Sequence, residues 1–278
     1  MELYVYCQSG HNFGLENLRR TAVICKKLDV FEPLLATADY RAASFAKAEL
    51  GVKKTVGIDV IENLPNMMLR MDMLIFDSKE PNETMLTYMK AYCSHLYEVG
   101  VDIPYDIVDD NFFEESKKTI KKTFFFADDD YENELLDFAQ DSSKQDMSLL
   151  MGHYFFMGND DKLAFAFNEV IEDEEYEETI KQSEYLLTSS INACIESLAS
   201  GNKPVYFQRV IKDNKGPLEL LEKYNIPTAS GENLDALVED FEKIIASYPK
   251  TLKVEKFDMS AILSDIQATM KKYARMIQ

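Results

Sequence analysis

The sequence predicts an α/β protein made of two consecutive halves, each a parallel β-sheet covered on both faces by helices. Three observations predict this class. Short apolar runs alternate with amphipathic stretches of helical length along nearly the whole chain. The alternation stops once, over residues 106–122, and then begins again. Strands separated by helices form parallel βαβ units, and a length of 278 residues favours two domains over one.

The first half begins directly with a strand, which a polar, glycine-containing loop follows. Its strands are short apolar runs, and its helices show apolar residues at helical spacing. Strands are predicted at 3–7, 34–37, 54–58, 71–76 and 95–99, and helices at 15–28, 41–50 and 82–93.

The second half repeats the same order of elements. An acidic run at 172–178 opens one of its helices, since acidic residues favour the positive end of the helix dipole. Strands are predicted at 123–126, 148–156, 185–188 and 204–208, and helices at 131–140, 162–170, 191–200, 218–224, 234–247 and 259–276.

The break and the final helix define the predicted domains. They are an N-terminal domain over 1–110, a C-terminal domain over 121–258, and a helix over 259–278 that packs back on the N-terminal domain. The apolar positions Ile262 and Ile266 of this helix need a partner surface.

Charge and composition exclude several classes of partner. The chain carries 30 Lys and Arg against 49 Asp and Glu, a formal net charge of −19. Such a field repels nucleic acid and anionic lipid headgroups. No apolar run reaches the roughly 18 residues of a transmembrane helix, and the N-terminus lacks the basic region of a signal peptide. The four cysteines form no CxxC pair, which disfavours a disulfide framework or a metal site. A soluble, cytoplasmic protein without metal or other cofactor is expected.

The most specific motif lies in the second half. A predicted strand leads through Ser189 and Ser190 into a helix that carries Glu196, and Gly201 and Pro204 follow before the next strand. Small residues at a helix N-terminus expose N–H groups that can hold a diphosphate. A carboxylate further along the helix can accept hydrogen bonds from ribose hydroxyls. An ordinary βαβ unit with a capped helix is the alternative.

This element resembles the donor site of GT-B-fold nucleotide-sugar proteins. The resemblance is to the UDP-sugar hydrolase of pseudaminic acid synthesis and to the peptidoglycan N-acetylglucosaminyltransferase group. It implies two Rossmann-like domains that face a cleft, an acceptor-side N-terminal one and a nucleotide-side C-terminal one, with the last helix crossing back. It also implies Thr188, Ser189 and Ser190 on the phosphate side, Glu196 at the ribose, and a UDP-sugar as substrate.

The loop after the first strand carries the second part of the resemblance. Relatives place a glycine-rich turn with a histidine here, and in this chain Gly10 and His11 fill that role, with His11 as general base. Aligning instead on Arg20 puts Asn17 at the histidine position. A loop histidine that caps the following helix is the alternative for His11. The substrate-side residues implied by the resemblance are Gly10, Asn12, Gly14 and Asn17.

Two departures from the family pattern concern carboxylates. Where relatives have a glycine-rich turn after the first strand of the second half, this chain has Asp128, Asp129 and Asp130. Three carboxylates there oppose a diphosphate unless a metal lies between them. Aspartates before a helix are also ordinary capping residues. The Asp-Asp pair that the hydrolase carries after the last strand of its first domain is replaced here by Glu98 and Val99.

Two functions follow from these observations. The first is a nucleotide-sugar-binding glycosyltransferase or UDP-sugar hydrolase of bacterial surface-carbohydrate metabolism. The alternative is a non-catalytic scaffold or accessory protein with this fold, in envelope or flagellar assembly. The altered phosphate loop and the acidic surface are consistent with this alternative.

Overall fold

The computed structural model of the chain describes residues 1–155, 158–209 and 217–277. These residues form two compact units. The first unit contains Met1–Ile107 and the final segment of the chain from Lys256, and the second contains Val108–Glu255. Each unit is described separately below.

The first unit is built on a five-stranded parallel sheet, counted over the described residues. The strand order is β3-β2-β1-β4-β5, so the order reverses between β1 and β4. Every residue of β1 and β4 is buried, as expected for central strands covered on both faces. The strands are β1 (Leu3–Cys7), β2 (Leu34–Thr37), β3 (Lys54–Gly57), β4 (Met73–Asp77) and β5 (His95–Glu98).

Helices α1 (Glu16–Lys27), α2 (Tyr40–Ala48) and α3 (Glu83–Tyr92) connect these strands. Two of them begin at side-chain caps. Asp39 accepts a hydrogen bond from the backbone N–H of α2 at 2.8 Å, and Asn82 does the same for α3 at 2.9 Å.

The second unit contains a six-stranded parallel sheet among the described residues, in the order β11-β10-β9-β6-β7-β8. Its strand order reverses between β6 and β9. The rings of Phe124, Phe167 and Phe207 form the centre of one core layer, with centroids 5.5 Å apart from Phe124 to each of the others. The strands are β6 (Ile120–Phe125), β7 (Gln145–Leu150), β8 (Phe167–Ile171), β9 (Ser183–Thr188), β10 (Lys203–Phe207) and β11 (Thr228–Ala229).

Helices in the described part of this unit follow the strands and pack against the sheet or against each other. They are α4 (Glu134–Phe138), α5 (Asn159–Leu163), α6 (Tyr176–Gln182), α7 (Ile191–Ala199), α8 (Glu219–Tyr224) and α9 (Leu234–Ala246).

The final helix, α10 (Ser260–Ile277), belongs to the first unit. Its Ile266 is fully buried, and its Asp265 accepts a hydrogen bond from the Tyr97 hydroxyl of β5 at 2.5 Å. None of the helices in the described ranges has the length and apolar character needed to cross a bilayer.

The sequence prediction is wrong in two stretches of the second unit. The predicted helix over 162–170 is instead the end of α5 followed by the edge strand β8. Leu163, Ala166, Phe167 and Val170 have the spacing of a helix face, although they belong to two different elements.

The predicted strand over 148–156 also ends early, at Leu150, which leaves His153 in a turn. The backbone at Gly152 turns against the neighbouring segment, where a Cβ atom would lie 2.1 Å from the carbonyl oxygen of Ala127. Strand β7 thus ends just before this close backbone approach.

Candidate functional site

The order of the strands in the second sheet reverses between β6 and β9, and this point is here called the strand reversal. It places the carboxyl ends of the two parallel strands side by side. Phe125 and Thr188 are partners in the sheet register. In open parallel sheets, ligands bind outside the carboxyl ends of the strands where the order reverses. The segments that follow these two strands therefore form the candidate site. They are residues 126–130 and the turn at Ser189 and Ser190, which leads into α7.

The three small residues predicted on the phosphate side are brought together here, and all are buried. Ser190 caps α7, since its hydroxyl accepts a hydrogen bond from the N–H of Ala193 at 3.1 Å. The N–H of Ser190 donates to the hydroxyl of Thr188 at 3.0 Å. Ser189 donates its hydroxyl to the carbonyl oxygen of Phe126. Each hydroxyl therefore has a partner within the unit and organises the turn.

Glu196 lies inside the unit, with only 4% of its surface exposed. One carboxylate oxygen accepts a hydrogen bond from the hydroxyl of Tyr176 on α6 at 2.6 Å. The other accepts from the side-chain amide of Asn192 at 2.8 Å. The carboxylate is buried and already accepts two hydrogen bonds within the unit, so the role of Glu196 as a ribose anchor stays a prediction.

The acidic segment after β6 is buried and bonded to an arginine that sequence reasoning missed. Asp129 accepts a hydrogen bond from Nη1 of Arg209 at 2.8 Å. Nε of the same guanidinium donates to Oε2 of Glu134 at 2.9 Å. The guanidinium carbon lies 4.4 Å from the ring centroid of Phe126. The only sequence signal for Arg209 is its place directly after a strand.

Asp130 is the most deeply buried of the three aspartates, with 1% of its surface exposed. Its Oδ2 accepts a hydrogen bond from the N–H of Leu135 in α4 at 3.1 Å, as a capping residue does. Its Oδ1 is buried without a hydrogen-bond partner among the described residues. Burial raises the pKa of Asp130 to about 7, and the Leu135 N–H offsets only part of this rise. The carboxyl group therefore holds a proton up to near-neutral pH.

A separate acidic group follows β8, at the far side of the same sheet edge. Glu172, Asp173 and Glu174 each place a carboxylate oxygen within 4.8 Å of the others, close enough together for one metal ion to contact all three. Asp173 is also bonded to Nδ1 of His153 at 2.7 Å. Burial opposes the ionised form, but the histidine outweighs it and lowers the pKa of Asp173. Adjacent exposed acids are common without a metal, so this group remains a geometric observation.

The first loop of the first unit is a compact turn closed by two glycines. The N–H of Gly14 donates to the carbonyl oxygen of Gly10 at 2.7 Å, and the N–H of Gly10 donates back at 3.3 Å. Both glycines have positive φ, +130° and +73°, which side chains rarely adopt. Between them, His11, Asn12 and Phe13 are exposed at the tip. The structure thus brings together four of the five loop residues predicted either as the general base or on the substrate side.

Asn17, the fifth, lies in the first turn of α1 and takes part in a buried network at the reversal between β1 and β4. Nε of Arg20 donates to Oδ2 of Asp77 at 2.9 Å, and both side chains are buried. Arg20 also donates to the amide oxygen of Asn17. Asn17 in turn donates to the carbonyl oxygen of Gln8 at 3.0 Å. Burial raises the pKa of Asp77, and Arg20 opposes this rise. Sequence reasoning missed the Arg20–Asp77 pair.

Comparison with known proteins gives a fold but no family. No protein-family model matches the chain, and no curated protein matches it. Among solved structures, the chain is similar to the UDP-GlcNAc 2-epimerase of Methanocaldococcus jannaschii in complex with UDP-GlcNAc and UDP. The two are 11% identical over 91% of this chain and 95% of the epimerase, with a TM-score of 0.51. The spinosyn rhamnosyltransferase SpnG, complexed with thymidine diphosphate, is 9% identical over 89% and 91%, with a TM-score of 0.51.

These similarities confirm the predicted fold class. The chain contains two α/β units, each with a parallel sheet and flanking helices, which is the secondary-structure plan of the GT-B fold. At such low identity the likeness establishes the fold alone.

Proposed function

We propose that this protein binds a nucleoside diphosphate sugar at the carboxyl edge of the second sheet. It then transfers the sugar to an acceptor or hydrolyses the bond between the nucleotide and the sugar. One observation carries the proposal. The strand order reverses between β6 and β9, and α7 begins beside that reversal after the serine-containing turn. Backbone N–H groups at such a helix start suit a phosphate group. The similar structures that bind UDP-GlcNAc, UDP and thymidine diphosphate support this ligand class.

Within this proposal, His11 is the general base and Glu196 the ribose anchor. The exposed position of His11, on a loop fixed by two glycines, suits proton transfer with a bound substrate. A role in bacterial surface-carbohydrate metabolism rests on the sequence resemblance.

A second candidate is a non-catalytic binding module, and a specific observation favours it. The hydroxyls of Thr188, Ser189 and Ser190 and both carboxylate oxygens of Glu196 have partners within the unit. Such internal satisfaction suits a fold that has kept its architecture without its ligand.

Calorimetric titration with UDP, a UDP-sugar and uridine separates the two candidates. A nucleotide-sugar protein binds UDP more tightly than uridine, because the diphosphate adds charge-assisted hydrogen bonds. The absence of heat at millimolar UDP and UDP-sugar contradicts the proposal and favours the binding module.

A pair of variants tests Glu196 in the same titration. Glu196→Gln removes the charge that a ribose hydroxyl would contact, and we expect it to weaken UDP binding by roughly 1–3 kcal/mol. Tyr176→Phe is the matched control, because it removes one donor to Glu196 and leaves the carboxylate in place. If both variants lower the melting temperature and neither changes the affinity, Glu196 is a structural residue.

A further inference from the structure

The guanidinium of Arg209 occupies a special position on the edge of the second sheet. Arg209 lies two residues after the end of β10, whereas its partners Asp129 and Glu134 follow β6. Strand β9 lies between β10 and β6 in the sheet. The side chain, 8% exposed, therefore passes over the end of β9 and lies across the strand reversal.

Its pairing is unbalanced in charge. Nη1 donates to Asp129 at 2.8 Å, while Nε and Nη2 both donate to one oxygen of Glu134, the first at 2.9 Å. One cation thus meets two carboxylates. A purely structural pair needs one carboxylate, and each further buried acid raises its electrostatic cost.

The guanidinium geometry that binds these carboxylates also suits a phosphate group. The planar fork of arginine donates to carboxylate and to phosphate oxygens in the same bidentate manner. The oxygens of Asp129 and Glu134 therefore lie where phosphate oxygens would lie. The stacking of the guanidinium on Phe126 fixes its plane.

We propose that Arg209 is the phosphate-binding residue of the nucleotide site and that Glu134, beside Asp129, occupies it until a diphosphate displaces Glu134. This inference rests on the proposed function and names the group that recognises its ligand. Binding exchanges one anion for another at the guanidinium, so the two carboxylates lower the affinity of the free protein. Weakening the bond of one carboxylate to Arg209 therefore raises the affinity for the ligand.

The test uses inorganic pyrophosphate and UDP as probes, without added divalent cations, at one ionic strength. Glu134→Gln removes one competing charge. Its side chain is 12% exposed, and Asp129 still pairs with Arg209. We expect this variant to bind pyrophosphate about tenfold more tightly than the wild type, the effect of losing one charge-assisted hydrogen bond.

The matched control is Glu184→Gln. Glu184 lies near the start of β9, at the opposite edge of the same sheet, and forms an ion pair with Lys121 at 2.5 Å. It makes the same change in net charge, and we expect it to bind both probes as the wild type does. Adding Arg209→Lys to Glu134→Gln keeps the positive charge but removes the fork, and should abolish the gain. Circular dichroism and thermal denaturation verify that each variant folds.

The outcomes separate this inference from the proposed function. Equal pyrophosphate affinity of Glu134→Gln and Glu184→Gln overturns the inference, and so does a gain that survives Arg209→Lys. If UDP binds the wild type under either result, the proposed function stands alone. If the gain appears but UDP binds no more tightly than pyrophosphate, the phosphate site stands and the nucleotide does not.

Discussion

The replacement Asp130→Asn tests whether a buried carboxyl group at the candidate site holds a proton near neutral pH. The substitution keeps the shape of the side chain, and the amide oxygen still accepts from the N–H of Leu135. The substitution removes the titratable group at this position. Because burial raises the pKa of Asp130 from its ordinary 3.8 to about 7, the folded state binds a proton that the unfolded state has released.

The sign and size of the effect follow from this difference. Between the two pKa values the folded protein holds more protons, so the free energy of unfolding decreases as the pH rises from about 4 to about 7. Integrating the linkage relation from pH 5 to pH 8 gives a loss of about 2.5 kcal/mol in the wild type. Asp130→Asn lacks this loss, so its stability relative to the wild type should improve by that amount over the same range.

Urea denaturation followed by circular dichroism at pH 5 and pH 8 measures the difference. Asp146→Asn is the control, because the Asp146 side chain of the same unit is 87% exposed and its variant should follow the wild-type pH dependence. Parallel behaviour of Asp130→Asn and the wild type from pH 5 to pH 8 refutes the reasoning. So does a carboxyl group that titrates near pH 4 in carbon-13 NMR of the folded protein.

Three further substitutions test the loop, the buried ion pair and the close backbone contact. His11→Ala should lower turnover of a UDP-sugar by about 10²–10⁴-fold without changing the melting temperature, with Asn12→Ala as the control in the same exposed loop; equal rates contradict a general base. Arg20→Leu leaves Asp77 buried without its cation and should cost about 3–5 kcal/mol in urea denaturation, and a loss below 1 kcal/mol contradicts the pairing. Gly152→Ala places a methyl group 2.1 Å from a backbone carbonyl oxygen and should destabilise by about 3 kcal/mol, and a neutral result in thermal denaturation contradicts that contact.

The sequence predicts most of the fold because its central strands are strongly apolar and because α2, α3, α7 and α9 begin at side-chain caps. The predicted bounds of β1 and β2 agree with the structure at both ends. The edge strand β8 was missed for a physical reason. Its Asn168 and Glu169 are exposed, and its apolar residues join those of α5 in a helical spacing. Edge strands contribute few buried residues, so their pattern is weak.

The candidate site is less visible in the sequence, because it depends on distant partners. The small residues before α7 and the glycines of the first loop follow from local rules for caps and turns. The bonds of Tyr176 to Glu196 and of Arg209 to Asp129 do not. Tyr176 is 20 residues from Glu196, and Arg209 is 80 residues from Asp129. Only the sheet order brings such residues together.

A buried arginine that pairs with a carboxylate lies at each of the two strand reversals of this protein. The balance between positive and negative charges differs between the two places. Among the described residues, Arg20 forms its buried ion pair with Asp77, so an anion that took the guanidinium would leave that carboxylate uncompensated inside the protein. Arg209 has both Asp129 and Glu134. An anion that replaces Glu134 there leaves Asp129 paired, and the less buried Glu134 can move towards water. The second unit is therefore the one whose reversal can exchange an internal anion for a bound one.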